Sequence, residues 1–365
     1  MQLREFQYEL PRSLIAATPA PDRAAARLMV VRRETGEISH GSFSALGDFL
    51  RAGDLLVLND TRVFPARLRG RKASGGEVEL LLVDPFPHWP GLWIALIAAA
   101  KKPPVGSRIV FGSDVSAEII GEMGRGRYGV RFHYEGDFMN LLERLGEPPI
   151  PPYVGKQRAV AAVDWERYQT VYARHVGAVA APTAGFHFTS VLLDALGERG
   201  IEKAFLTLHV GPGTFEPVRE NEVEKHRMEG EHYALTAETA EQINRAKARG
   251  NKVVAVGSTT TRALEWIARR KGGVEADEGV ARLFIYPGES LGVTDAPGDS
   301  VRVIDAPGDS FRVIDALVTN FHLPGSTPLL LVAAFAGLDL IRRAYAEAIR
   351  AEYRFYSYGD AMLIL

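Results

Sequence analysis

Glu77-Val-Glu-Leu-Leu-Leu-Val83, Leu92-Trp-Ile-Ala-Leu-Ile-Ala98, Ser107-Arg-Ile-Val-Phe111, Ser116-Ala-Glu-Ile-Ile120 and Tyr128-Gly-Val-Arg-Phe-His-Tyr134 follow one another at short intervals. The breaks around them are turn chemistry: Ser74-Gly75-Gly76, Pro103-Pro104 and Gly124-Arg-Gly126. Parallel strands need a crossover of a dozen or more residues, for which these breaks leave no room. The stretch from Asp54, which opens with Asp54-Leu-Leu-Val-Leu-Asn59, to Tyr134 therefore predicts an antiparallel barrel or sandwich.

Outward from this stretch the pattern changes. Helical periodicity over 164–174, 190–199, 239–249, 262–271 and 338–352 alternates with short apolar runs at 178–182, 203–210, 252–257, 282–286 and 316–320, which is an α/β pattern. The segment Gly146-Glu-Pro-Pro-Ile-Pro-Pro-Tyr153 carries four prolines in eight residues and reads as a stiff connector. It is the best candidate boundary between the β-dense stretch and the α/β remainder. A length of 365 residues with 46% hydrophobic content suits two cored domains.

Composition narrows the chemistry. There is no cysteine, which excludes disulfides, thiolate nucleophiles and Cys-bound zinc or iron–sulfur sites. The nine histidines show no ligand spacing, His226 and His232 included, so no metal is expected. Met1–Leu10 mixes charges with isolated apolar residues, and no apolar run approaches the ~20 residues that span a bilayer, so a cytoplasmic protein without a membrane partner is expected. The net charge is −2, yet residues 60–131 hold 11 Lys and Arg against 7 Asp and Glu. A mildly basic β-module beside an acidic remainder suits a polyanion held next to an active site, and solvated barrel loops explain it equally well.

Several segments place polar residues where neither a core nor a solvated face accounts for them. His209 ends the run Ala204–Val210 and leads into Gly211-Pro-Gly213-Thr214, glycines that let a backbone approach a ligand; a tight turn beside a core histidine is the competing reading. Val253–Gly257 leads into Ser258-Thr259-Thr260-Thr-Arg262, where hydroxyls and free helix N–H groups suit an anion or a ribose, or simple capping. Thr183 and His187, Asn320 and His322, and Tyr358 and Asp360 interleave with aromatics in three further segments. Residues 295–304 and 305–314 repeat one decapeptide with a single difference, which reads as an elongated surface loop or hairpin.

In order and nearly end to end, the chain resembles the S-adenosylmethionine:tRNA ribosyltransferase-isomerase family of queuosine biosynthesis. The likeness rests on residues 6–16 (FQYELPRSLIA), 54–70 (DLLVLNDTRVFPARLRG), 148–154, 166–173, 180–188 (AAPTAGFHF), 207–218 (TLHVGPGTFEPV), 253–265 (VVAVGSTTTRALE), 318–335 (VTNFHLPGSTPLLLVAAF) and 353–362 (YRFYSYGDAM). It implies a larger α/β domain with a mixed sheet, over 1–60 and 150–365, and an inserted β-barrel domain over 61–149. It implies transfer of the ribosyl part of S-adenosylmethionine to 7-aminomethyl-7-deazaguanine at the wobble position of tRNA, and its isomerisation to an epoxycyclopentane with release of adenine and methionine. S-adenosylmethionine is then a co-substrate, with no prosthetic group and no obligate protein partner.

The sulfonium of S-adenosylmethionine acidifies the adjacent C5′ protons, so the reaction needs a base, a proton donor toward adenine, and carboxylates or aromatic faces around the cation. On this reading His187 and His209 are the expected base and acid, and Asp360 and Glu231 partner the sulfonium or the amine. Asn59, Asp60, Arg62, Thr183, Gly211, Gly213, Thr214, Thr259, Thr260, Arg262, Asn320, His322 and Tyr358 are the expected substrate-binding set. The chain departs from the family where it reads His226-Arg-Met-Glu229-Gly230-Glu231 in place of His-x-Met-His-Ser/Ala-Glu, at Ala98–Pro104, and in the duplication. A non-catalytic RNA-binding protein and an S-adenosylmethionine enzyme with another acceptor are the alternatives.

Overall fold

The computed structural model describes residues 1–86, 88–151, 154, 160, 162–215, 218–288, 301–303 and 311–365, with 214, 215 and 301–303 described by backbone alone. Two compact units result: Met1–Arg62 with Gln169–His175 and Ala181–Leu365, and Val63–Tyr168 with Val176–Ala180.

The second unit is the barrel. Strands Arg67–Lys72, Glu77–Pro85, Leu92–Ala98, Arg127–His133, Val115–Glu122 and Arg108–Phe111 pair antiparallel in that order, and Arg108–Phe111 closes the ring on Arg67–Lys72 through Arg71↔Val110 and Lys72↔Ile109. Side chains alternate, so Val78, Leu80 and Leu82, Trp93, Ala95 and Ile97, and Val130 and Phe132 fill the interior, with Leu141 and Leu142 of helix Phe138–Leu145 packed on it. Gly70 is glycine because a Cβ there would lie 2.7 Å from both Ile109 Cγ2 and Phe111 Cε1. Bulges between Leu82 and Asp84 and between Gly129 and Val130 bend two of the strands, as small barrels require.

The first unit is built on a mixed sheet in the order Asp277–Ala281, Glu231–Leu235, Glu202–Leu208, Leu55–Asn59, Val253–Val256, Ala316–Asn320, Ala361–Ile364, Arg27–Val31 and Ile38–Ser42. The four strands from Glu202–Leu208 to Ala316–Asn320 run parallel, and the outer pairs are antiparallel except Ala361–Ile364 beside Arg27–Val31. Leu55–Asn59, Val253–Val256, Ala316–Asn320 and Ala361–Ile364 are buried along their whole length, as strands covered on both faces are. The α/β fold with a mixed sheet and an inserted β-barrel expected from the sequence is therefore what the chain forms.

Local departures have physical causes. The run at 54–59 belongs to the mixed sheet rather than to the barrel. The helix expected over 164–174 stops at Arg167. Thr170 and Val171 are poor helix formers, and the N–H groups of Arg174 and His175 turn to the Asp60 carbonyl at 2.7 and 3.3 Å. Helix Thr327–Ala336 was not expected, because all ten of its residues are buried and it shows no polar face. Strands Arg27–Val31, Glu231–Leu235, Asp277–Ala281 and Ala361–Ile364 also went unread.

The duplicated decapeptide lies largely outside the described residues; of it, Val301–Val303 pairs parallel with Leu283–Ile285. The end of its second copy is not on the surface as expected: Val313 and Ile314 are buried, and the fully buried carboxylate of Glu265 accepts the N–H groups of Arg312 and Val313 at 2.9 Å and of Ile314 at 3.3 Å. Among the described residues no helix is long and apolar enough to cross a membrane.

Candidate functional site

The carboxyl ends of the parallel strands carry the candidate residues, which is where open α/β sheets hold their ligands. At the end of Leu55–Asn59, the Asn59 side chain accepts the N–H groups of Leu208 at 3.0 Å and Thr61 at 3.2 Å. It donates to the Leu208 carbonyl at 2.9 Å and to Thr259 Oγ1 at 3.4 Å. It thus stitches two strand ends to the start of helix Ser258–Lys271. Gly257, at φ 93, makes the sharp entry to that helix, with Ala184 Cβ 3.5 Å from where its own Cβ would be.

A cavity of about 50 Å³ opens here, lined by Ala181–Ala184, Val210, Gly257–Thr259, Thr319, Asn320, His322, Pro328, Tyr356 and Ser357. Thr183, Thr259, Asn320 and His322 come together around it as the sequence grouped them. Asn320 donates through Nδ2 to the carbonyls of Tyr356 at 2.9 Å and Ser357 at 3.4 Å, so its Oδ1 faces His187 Nε2 at 3.1 Å. His187 therefore donates from Nε2 and keeps its lone pair on Nδ1. Burial holds its pKa down at about 4, against the raising effects of Asn320 and Asp360. Burial also lowers His322 to about 3, its Nε2 lying 2.8 Å from Thr319 Oγ1. Both imidazoles are neutral at physiological pH.

A second polar group forms at the ends of Leu55–Asn59 and Glu202–Leu208. Half-buried His209 places Nδ1 2.8 Å from Thr61 Oγ1, and its pKa is lowered by burial and then by His232 and His175. Buried Asp60 accepts from Thr207 Oγ1 at 2.7 Å, with exposed His175 Nε2 at 3.6 Å; burial raises its pKa against these partners. Arg62 points to solvent.

The remaining expected residues face internal partners. Glu231 and Arg262 form a buried pair; Glu231 also accepts the Gly211 N–H at 3.0 Å, and Arg262 donates to the Leu283 carbonyl at 3.0 Å. Asp360 accepts from Arg27 N at 3.0 Å, Arg27 Nη2 at 3.1 Å, Arg27 Nε at 3.2 Å and Arg354 N at 2.8 Å. Thr260 donates to the Val256 carbonyl at 2.8 Å. Tyr358 stacks on Phe186 with ring centroids 5.9 Å apart. Gly213 lies against Glu229, 3.3 Å from its Oε2 to the position a Cβ would take, and the Thr214 side chain is outside the described residues. Gly230 leaves no room for a side chain: a Cβ would meet Val280 Cγ1 at 2.4 Å.

Ser258, Tyr356 and Ser357 line the cavity but were not among the expected site residues. Only Ser258 had a signal, as the first hydroxyl of its run. The positive φ of Tyr356, 75, has no signature in its sequence neighbourhood.

The Glu231–Arg262 pair makes a prediction. Truncating one member leaves the other charge buried and unpaired, so Glu231→Ala lowers stability by about 3–5 kcal/mol. Replacing both partners by apolar residues of similar volume, Glu231→Leu with Arg262→Met, restores most of it. Denaturant unfolding of the three proteins is the measurement, and a single variant as stable as wild type contradicts the assignment.

Among the described residues no group of three or more His, Asp or Glu is placed to hold a metal ion. Comparison with known proteins gives a consistent picture. A family model described as queuosine biosynthesis protein matches residues 3–297 and 298–364. The chain is 49% identical over 364 residues to the S-adenosylmethionine:tRNA ribosyltransferase-isomerase of Pelobacter propionicus, with 100% of both chains covered. It is 48% identical over 367 residues to the protein of the same name from Symbiobacterium thermophilum, again with 100% of both covered. The crystal structure of S-adenosylmethionine tRNA ribosyltransferase from Thermotoga maritima matches with a TM-score of 0.53 at 36% identity, covering 99% of this chain and 100% of that one.

Proposed function

The chain belongs to the queuosine biosynthesis protein family, and from that membership we propose its reaction. It transfers the ribosyl part of S-adenosylmethionine onto 7-aminomethyl-7-deazaguanine at the tRNA wobble position, isomerises it to an epoxycyclopentane, and releases adenine and methionine. The full-length likeness to ribosyltransferase-isomerases carries this reading. The cavity at the carboxyl ends of the parallel strands supports a place for the co-substrate; at about 50 Å³ it takes one polar end, with the rest outside.

Neutral imidazoles suit this chemistry. A protonated base would repel the sulfonium, whereas burial keeps His187 uncharged and its lone pair available. The base takes a C5′ proton, the resulting ylide-like carbanion expels adenine, and the amine of the deazaguanine attacks the ribosyl carbon. His187, oriented by Asn320, is the proposed base and His209 its partner for the adenine side. Within the barrel, Arg67, Arg69 and Arg71 are taken up by Glu77, Glu79 and Glu147. Contacts to tRNA phosphates therefore fall to exposed cations such as Lys101, Arg108, Arg125 and Arg131.

Incubation with S-adenosylmethionine and tRNA carrying 7-aminomethyl-7-deazaguanine should release adenine and methionine in the presence of a chelator and without reductant. Adenine that appears only with iron and a reductant would overturn the polar mechanism. Adenine release unaccompanied by a mass gain on the modified tRNA would point to another acceptor, and tRNA binding without turnover to a non-catalytic protein.

A further inference from the structure

Two helices begin beside the cavity, and neither start is closed by a side chain. Helix Ser258–Lys271 follows Gly257, which has no side chain to cap it, and helix Thr327–Ala336 follows Ser326, whose hydroxyl instead donates to the Leu323 carbonyl at 2.8 Å. Among the described residues, the N–H groups of Ser258, Thr259 and Thr260 and that of Thr327 have no acceptor. A second, smaller cavity of about 10 Å³ adjoins the first and shares Ser258, Thr259 and Pro328 with it.

Thr327 lines this smaller cavity. It is 4% exposed, and its Oγ1 is buried without a hydrogen-bond partner. A hydroxyl left unpaired in a protein interior costs about 1–3 kcal/mol, so an unmet donor here needs an explanation. Among the described residues Arg262 is the one cation on the cavity wall, and it is paired with Glu231. What the cavity offers is a cluster of N–H and O–H donors with the partial positive charge of two helix starts, and apolar walls on the far side from Phe284 and Leu331.

We infer that this subsite holds the α-carboxylate of the methionyl group of S-adenosylmethionine, with Thr327 Oγ1 donating to it and the apolar wall covering the methylene chain. The inference rests on the proposed reaction and deepens it, since it fixes which end of the co-substrate enters the fold. A carboxylate fits the uncapped N–H groups of the two helix starts, whose partial positive charge favours an anion, and the unpaired Thr327 hydroxyl can donate to it.

The test is the adenine-release assay on the full chain, measuring KM for S-adenosylmethionine and the inhibition constant of its decarboxylated analogue. Thr327→Val keeps the side-chain shape and removes the donor. It should raise KM roughly 10- to 100-fold, the range for a lost hydrogen bond to a charged group, and leave kcat and the analogue's inhibition constant unchanged. Thr327→Ser should restore KM. A KM that does not move in an active Thr327→Val protein, or a parallel weakening of substrate and analogue, overturns the carboxylate site while the reaction stands. A wild-type protein that releases no adenine overturns the reaction and the site together.

Discussion

Lowering the pH from 7 to 4 should remove about 3 kcal/mol of stability for each of two buried histidines, about 6 kcal/mol in all. His187 and His322 have folded pKa values near 4 and 3 against an ordinary 6.5, both because burial penalises the imidazolium. Above pH 6.5 neither folded nor unfolded chain binds the proton, and stability is at its full value. Below 6.5 the unfolded chain takes up protons that the folded chain refuses, so stability falls by about 1.4 kcal/mol per pH step for each histidine until the folded value is reached. Glu265 and Asp60 run the other way: their folded pKa values are raised by burial, so they return some stability as the pH falls. The clean readout is therefore a difference between proteins. Denaturant unfolding at pH 7, 6, 5 and 4.5 should show a shallower pH slope for His322→Gln than for wild type, by about 1.4 kcal/mol per pH step. Identical slopes would mean that the folded protein admits the proton and that the ring is less secluded than its surroundings indicate.

His187→Ala should lower turnover by about 10²- to 10⁴-fold, the usual contribution of a general acid or base, and His209→Ala by a similar factor. The His187 ring lies against Phe43 with centroids 5.0 Å apart, so the variant also loses packing, and thermal melts must establish that it remains folded before turnover is read. Retained tRNA binding is the second control, because the loss belongs to the chemical step. A base held near 4 is already unprotonated at neutral pH, so wild-type turnover should show no inflection from His187 between pH 6 and 8. A loss under about threefold in both variants would return the two histidines to a structural role.

The sequence made the barrel legible because alternation is a local signal. Five of its six closing strands announce themselves by apolar residues two apart. The sixth, Arg67-Leu-Arg-Gly-Arg-Lys72, does not, because its inward positions are Leu68 and Gly70 and the second contributes no side chain. In the larger unit, wholly apolar segments lose periodicity when both faces are covered, which hid Thr327–Ala336 and with it the buried hydroxyl of Thr327. The cavity residues Thr183, Thr259, Asn320 and His322 were visible as polar groups in apolar runs. Glu231 and Asp360 carried the same signature for a different reason. A carboxylate that answers backbone N–H groups and an arginine cannot be told by composition from one that faces a ligand, since the arginines and the Gly211 N–H arrive from strands and loops well separated in sequence.

The carboxylate of Glu265 gives the chain a place where length is free to vary. Because three consecutive N–H groups at 312–314 dock onto a fixed acceptor in helix Ser258–Lys271, the phase of strand Ala316–Asn320 is reset there, whatever number of residues precedes it. Lengthening a tether costs only as the logarithm of its length, well under ~1 kcal/mol for ten added residues. A tandem copy of a decapeptide could therefore enter upstream at little cost to the sheet.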